Sequence, residues 1–189
     1  MLRLTGGEFR GRLIKTPKDL TTRPTQARLR QALFNAIQFQ VADSVVLDLF
    51  SGSGALGFEA LSRGASRVVF VETSNPALKM LAENVADLQV KERVTIISEP
   101  AETAIPWLLK CAPFHIVLAD PPYSAGWEEK LLQNLPWGEL LDENGLFVLE
   151  WGRLKSQPKV LPENVPFLVK LREKIYGESV LSTFQRVNP

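Results

Sequence analysis

Five short runs of branched and aliphatic residues recur through the middle of the chain, each separated from the next by enough residues for a helix. They are Val45–Phe50, Arg67–Glu72, Val94–Ile97, Phe114–Ala119 and Gly145–Glu150. Continuous apolar runs of this length suit strands covered on both faces. Between them, Ala55–Arg63, Pro76–Leu88, a stretch near 101–110 and Trp127–Leu135 read as helices. Strands joined through helices lie parallel, because a hairpin turn cannot hold a helix. The expected fold class is α/β, a doubly wound and mostly parallel sheet. Two further strands, Leu168–Tyr176 and Ser179–Arg186, meet at Gly177 and predict an antiparallel hairpin at one edge, giving seven strands.

The first 40 residues have another character. Leu2–Thr5 and Arg12–Lys15 are β-prone runs around Gly6-Gly7-Glu8-Phe9-Arg10-Gly11, a pattern that predicts a small hairpin. Lys15–Pro24 is a polar loop, so residues 1–24 read as an extension of a main domain over 25–189. Thr25 is placed to cap a helix over 26–40 whose apolar stripe is Leu29, Leu33, Ala36 and Ile37, with Arg28 and Arg30 off it. This end carries eight Lys/Arg against Glu8 and Asp19, 8 − 2 = +6, whereas the other 149 residues carry 14 bases and 19 acids, 14 − 19 = −5. The overall charge of +1 hides that asymmetry. A near-neutral protein with one strongly basic end suits a polyanion such as nucleic acid better than it suits a merely solvated surface.

A chain of 189 residues fits one domain. No apolar run approaches the ~20 residues that span a bilayer, and the N-terminus does not read as a signal or transit peptide. Cys111 is the single cysteine, without a second thiol or a histidine at metal spacing. A cytoplasmic protein without a metal, monomeric by default, is the expectation.

Gly52-Ser53-Gly54-Ala55-Leu56-Gly57 follows the first apolar run and opens a helix, and Glu72 ends the second run 20 residues after Gly52. This is the pattern of a nucleotide-type loop with a ribose-binding acid. A dinucleotide would put its pyrophosphate beside the loop, but Asp48, just before it, would repel that charge. S-adenosylmethionine fits better, having a ribose, no phosphate, and ammonium and sulfonium cations. Asp48, Phe50, Ser51, Gly52, Ser53, Gly54, Glu72 and Thr73 are the candidate contacts. A tight strand–helix turn without a ligand is the bland alternative.

Asp120-Pro121-Pro122-Tyr123 closes the fourth apolar run, 66 residues after Gly54. Two prolines hold the backbone extended and remove two N–H donors. The Pro121 carbonyl and the Asp120 carboxylate are then acceptors for an exocyclic amine, while Tyr123 offers a ring for a base to stack on. Two acceptors on one amine orient its nitrogen for in-line transfer of a methyl group. The alternative is a rigid loop with no chemistry.

These segments occur in order with Arg3-Leu4-Thr5-Gly6-Gly7, Arg10-Gly11-Arg12, Thr22-Arg23-Pro24-Thr25, Ala32-Leu33-Phe34-Asn35 and Lys174-Ile175-Tyr176-Gly177. Together they resemble the RsmD family, the 16S rRNA guanine-N2 methyltransferases, over nearly the whole chain. The resemblance implies a Rossmann-like class I S-adenosylmethionine-dependent methyltransferase fold. It implies methylation of a guanine exocyclic amine in 16S rRNA, as free rRNA, an assembly intermediate or the small subunit. It places Asp48, Gly52 and Gly54 at the methionine part of the donor, Glu72 at its ribose, and Asp120–Tyr123 at the target base. Arg10, Arg12, Arg23, Thr25 and Arg28 would meet RNA. Two positions depart from the family pattern: Gln31 follows Arg30 where an acid is usual, and Ser98-Glu99-Pro100-Ala101 makes Glu99 the candidate near the adenine.

From the residues alone, amino groups of adenine or cytosine in RNA or DNA stay open as targets. An NAD-linked oxidoreductase and a binding protein that keeps the fold without activity are rivals of another class. His115 reads as a packed or edge histidine, the four tryptophans as packing, with Trp127 able to line the rim of the site, and Glu128-Glu129-Lys130 as a solvated helix face.

Overall fold

The computed structural model describes residues 1–17, 24–123, 126–153 and 160–188, with the side chains of 24–26 also outside the description. Its core is a sheet of eight strands in the order β5-β4-β3-β6-β7-β10-β9-β8. The parallel strands are β3 (Val45–Leu49), β4 (Arg67–Val71), β5 (Val94–Ile97), β6 (Phe114–Ala119) and β7 (Leu141–Gly152). Antiparallel strands β9 (Leu168–Tyr176) and β10 (Ser179–Arg186) extend the β7 side. The seven expected strands are joined by a two-residue edge strand, β8 (Asn164–Val165), too short and polar to stand out in sequence.

Side chains alternate between two cores, one on each face of the sheet. Val46, Val68, Phe70, Ile116, Leu118 and Val148 point into one core, with α1 (Pro24–Ala36), α3 (Ala55–Ser62) and α4 (Asn75–Leu88). Leu47, Leu49, Val69, Val71, Val117 and Leu149 point into the other, with α5 (Ile105–Cys111), α6 (Trp127–Asn134) and α7 (Trp137–Leu140). Period-two alternation within uniformly apolar runs is why neither face shows as polar in the sequence.

Several boundaries move for identifiable reasons. The helix expected over 26–40 begins at Pro24, so Thr25 lies within its first turn rather than capping it. It stops at Ala36, because buried Ile37 leaves helical backbone before the short α2 (Gln38–Val41). The helix near 101–110 starts only at Ile105, with Pro106 in a first turn where its missing N–H costs nothing. The fifth apolar run becomes a 12-residue strand, since pairing with β10 carries its ladder on to Gly152. Glu128 is buried rather than solvated, at the N-terminal turn of α6 where an acid suits the helix dipole.

The N-terminal hairpin pairs only β1 (Leu2–Arg3) with β2 (Leu13–Ile14). The intervening loop docks on α3 instead of prolonging the ladder. Glu8 N–H donates to the Ser62 carbonyl, Phe9 N–H to Ser62 Oγ, and Ser62 Oγ to the Gly6 carbonyl. Gly7 has φ +75°, and a Cβ there would fall 1.6 Å from the Ser62 carbonyl oxygen, so glycine is required. Leu2, Leu4, Phe9 and Ile14 join the core beneath α1. Arg30, expected off the apolar stripe, is also buried, because Glu59 on α3 draws it inward (3.3 Å).

Candidate active site

The order β4-β3-β6 places the switch in winding direction between β3 and β6, and a crevice opens at the carboxyl ends of their strands. Register then decides which residues share it. Leu49 pairs with both Val71 and Ala119, so the loop after β3 lies between Glu72 and Asp120. Ala119 pairs with Leu149, so Asp120 lies beside Glu150, and Gly152 pairs with Ser179 across the next strand. The resulting cleft, of about 560 Å³, is lined by Phe50–Ser53, Glu72, Thr73, Asp120–Tyr123 and Glu150. Leu2, Leu29 and Arg30 close it on the hairpin and α1 side.

The loop is held open from within. Phe50 turns the chain out of β3 with φ +60°, and its ring meets Trp127 edge-on at 4.8 Å. Gly52 (φ +53°) has open space where a Cβ would stand, while at Gly54 (φ +83°) a Cβ would strike Phe58 and Leu81. The first glycine therefore serves turning at the cleft and the second serves close packing of the loop against α3 and α4. Glu72 Oε2 accepts Gly52 N–H (2.7 Å), and Oε1 accepts Thr73 and Ser74 N–H (both 2.8 Å). Three backbone donors fix this carboxylate at the cleft wall and leave about one lone-pair site, on Oε2, for a further donor.

Asp48 takes a different place from the one its sequence position suggests. It is buried under the loop, 1% exposed, does not line the cleft, and accepts Gly57 N–H at 2.8 Å. Burial, with the charge of Glu72 added, pushes its carboxyl up to about 7 against the pull of the Gly57 hydrogen bond. It acts on the cleft through the loop and through its field.

Asp120 is exposed to the open cleft, at a strand end flanked by β3 and β7. That surrounding, with the charges of Glu150 and Asp48, holds its carboxyl well above the ordinary range. Water in the cleft tempers the burial contribution but not its direction. Pro121 is buried, and Tyr123 is half exposed, its hydroxyl 2.8 Å from Glu150 Oε1 and 3.1 Å from Ser179 Oγ. Glu150 was missed in the sequence, although its signal was present. Glu72, Asp120 and Glu150 each follow the apolar body of a strand in the same parallel set. Among the described residues, three carboxylates and one Arg, already paired with Glu59, line it, which makes an acidic cleft.

The other candidates spread out. Glu99 lines a smaller adjoining hollow with Phe50, Glu72, Thr73 and Trp127. Arg10 lines a groove on the hairpin that shares Leu2 and Arg30 with the cleft. Arg12 turns towards α4 and donates to the Asp87 carbonyl (2.6 Å), and Arg28 is exposed on α1. Lys15 is committed to Glu83 and Asp87, at 3.1 and 3.0 Å, which trims the basic surface below the +6 of the sequence. Arg23 and the Thr25 side chain lie outside the described residues. His115 sits at the opposite end of the sheet, where Nδ1 accepts Val45 N–H (3.0 Å). Among the described residues no cluster of acids, histidines and cysteines could hold a metal ion, and no helix is long and apolar enough to cross a membrane.

Residues 2–185 match the model of the family described as Conserved hypothetical protein 95. The Ribosomal RNA small subunit methyltransferase D of Escherichia coli is 32% identical over 186 residues, covering 98% of this chain and 90% of that one. A solved structure described as the putative methyltransferase yhhF of Escherichia coli superposes with a TM-score of 0.82 at 31% identity, over 98% of this chain and 97% of that one. At 16% identity, SMU.776, a putative methyltransferase complexed with SAH, shares the fold alone, with a TM-score of 0.62 over 86% of this chain and 50% of that one. With the α/β methyltransferase fold, a family model spanning almost the whole chain and a relative matching end to end, the chain belongs to this family, the RsmD family its motifs resemble.

Proposed function

We propose that this protein transfers a methyl group from S-adenosylmethionine to the exocyclic N2 amine of a guanine in 16S rRNA of the small ribosomal subunit. The observation that carries the reading is the meeting of two sequence-distant motifs in one cleft: the glycine loop with Glu72, and Asp120–Tyr123 one strand away. The residues present suit this donor. An acidic cleft favours a cation, and Glu72, pinned by three N–H groups, keeps an acceptor site on Oε2 for a ribose hydroxyl. The same acids oppose a pyrophosphate, which weighs against the oxidoreductase. When bound, S-adenosylmethionine supplies an electrophilic methyl group on a sulfonium.

The chain's own part is to present the nucleophile. Pro121 and Pro122 donate no N–H, so the Pro121 carbonyl and Asp120 meet the amine as acceptors and hold its plane. An amine nitrogen gains nucleophilicity as its lone pair leaves conjugation with the ring, and two acceptors on its protons favour that geometry. Asp120, as a carboxylate at the cleft, is also placed to receive the proton that leaves after transfer. Tyr123 provides the face for the base, while Arg10, in the groove beside the cleft, and exposed Arg28 on α1 are offered to the phosphates around it.

The test is incubation with labelled S-adenosylmethionine and small subunits lacking the modification, followed by mapping of the labelled nucleotide. N2-methylguanine in 16S rRNA is the expected product. Label in adenine or cytosine would overturn the base assignment, and binding of NADH without S-adenosylmethionine would overturn the whole reading.

A further inference from the structure

Tyr123 is held by more than its place in the motif. Its phenol donates to Glu150 Oε1 at 2.8 Å, and Glu150 is only 7% exposed. Ser179 Oγ lies 3.1 Å from the phenol oxygen and also hydrogen-bonds Glu150, so the three side chains form one cluster. At the other end of the side chain, a Cβ on Gly152 would stand 2.6–2.9 Å from Tyr123 Cδ2, Cγ and Cβ, so the ring rests against bare backbone. Gly152 and Glu150 belong to β7, and Ser179 is the register partner of Gly152 on β10. The antiparallel pair thus grips the tyrosine at both ends while leaving it 48% exposed to the cleft.

We propose that Glu150, Ser179 and Gly152 are positioning residues that lock the Tyr123 ring as a fixed stacking platform for the target base, which is why the motif ends in tyrosine and not phenylalanine. The proposal rests on the functional reading above for the identity of what stacks. A free ring would swing about its side-chain bonds, and a displacement of about 1 Å in a reacting group costs about 100-fold in rate. Burial and the negative charge of Glu150 also hold the phenol proton on more tightly than in a free tyrosine, as a buried hydroxyl donating to a carboxylate should.

Two measurements test this on the full chain. The first is optical. Tyr123 and Tyr176 are the only tyrosines, so in a Tyr176→Phe background the phenolate absorbance reports Tyr123 alone. The expected result is a phenolate signal displaced above the ordinary tyrosine value of about 10, with the fold followed by circular dichroism. In Glu150→Gln, which removes the charge but keeps the burial, the phenol should titrate lower than in the parent protein. The second is kinetic. Tyr123→Phe and Ser179→Ala should each lower kcat, by about 10- to 100-fold for the first, with KM for the subunit and affinity for S-adenosylmethionine within about twofold. Because both act through one contact, the double variant should be no slower than Tyr123→Phe. Gly152→Ala should lower kcat in the same way, with the phenol intact.

An ordinary phenol titration in the Tyr176→Phe protein would overturn the anchor, as would multiplicative losses in the double variant. A wild-type protein that methylates no small-subunit RNA, yet shows the displaced titration, would defeat the functional reading and leave the anchored ring standing.

Discussion

Glu59→Ala should be among the most destabilising single changes in the molecule. Glu59 is fully buried on α3, and its carboxylate accepts Thr5 N–H (2.9 Å), Thr5 Oγ (2.6 Å), Arg63 Nε (2.8 Å) and Arg30 Nε (3.3 Å). Arg63 can turn to solvent. The Arg30 side chain is 4% exposed and, among the described residues, would keep its bond to the Arg3 carbonyl (3.0 Å) alone, so the mutation strands a buried cation. Breaking one side of such a pair costs about 3–5 kcal/mol, out of a total of about 5–15 kcal/mol for a typical domain. At about 2–4 °C per kcal/mol for a chain of this size, Tm should fall by about 6–20 °C. The assay is urea unfolding followed by tryptophan fluorescence, reading the midpoint at constant slope. The pH dependence has a definite sign. Burial opposes ionisation of Glu59, but the bonds from Thr5 and Arg63 and the charge of Arg30 outweigh it and hold the carboxyl below its usual range. The wild-type advantage is therefore complete above about pH 4.3 and lost as pH falls through the lower folded value. The double variant Glu59→Leu with Arg30→Met, which leaves neither partner charged, should recover much of the loss. A loss below about 1 kcal/mol in Glu59→Ala at pH 7, or the same loss at pH 3, would refute this account of how the hairpin is held.

Three further outcomes follow from the site. Asp48→Asn keeps an acceptor for Gly57 N–H but removes a buried acid whose folded value is about 7. The folded protein then no longer holds a proton that the unfolded chain releases near pH 3.9, so the decline in stability of the ligand-free protein between about pH 4 and 7 should flatten. An unchanged slope would count against the buried acid. Asp120→Ala should lower kcat by about 100-fold or more while S-adenosylhomocysteine still binds in calorimetry, and activity near wild type would remove Asp120 from the chemistry. Replacing Arg10 and Arg28 with alanine should weaken binding to small-subunit rRNA and reduce the slope of log affinity against log salt by about one for each phosphate no longer neutralised. An unaltered slope would place the RNA elsewhere.

The doubly wound class, the order of its elements and the two motifs were readable from residues because each rests on local signals. Apolar runs, glycine spacing and two successive prolines are all written within a few positions of one another. Sequence reading erred where burial was decided by a distant partner. Arg30 lies off an apolar stripe, yet Glu59, 29 residues on, draws it into the interior. The hairpin stops after two paired residues on each side, since the loop finds its hydrogen bonds on α3. Asp48 stands one strand residue before the loop in sequence, but the pleat turns it beneath the loop and away from the cleft.

By itself the sequence determined the strand-and-helix alternation, the glycine loop, the Asp120–Tyr123 tetrapeptide and the basic character of the first 40 residues. Family membership was also legible, because its motifs are contiguous. Only the tertiary structure decided which carboxylates face one another. Glu72, Asp120 and Glu150 lie tens of residues apart along the chain, and strand order with register brings them to neighbouring ends of one sheet. The grip on Tyr123 is likewise invisible in a linear reading. It requires β7 and β10 to pair so that Ser179 stands opposite Gly152, a match fixed by hydrogen bonding across the sheet and not by any property of either segment alone.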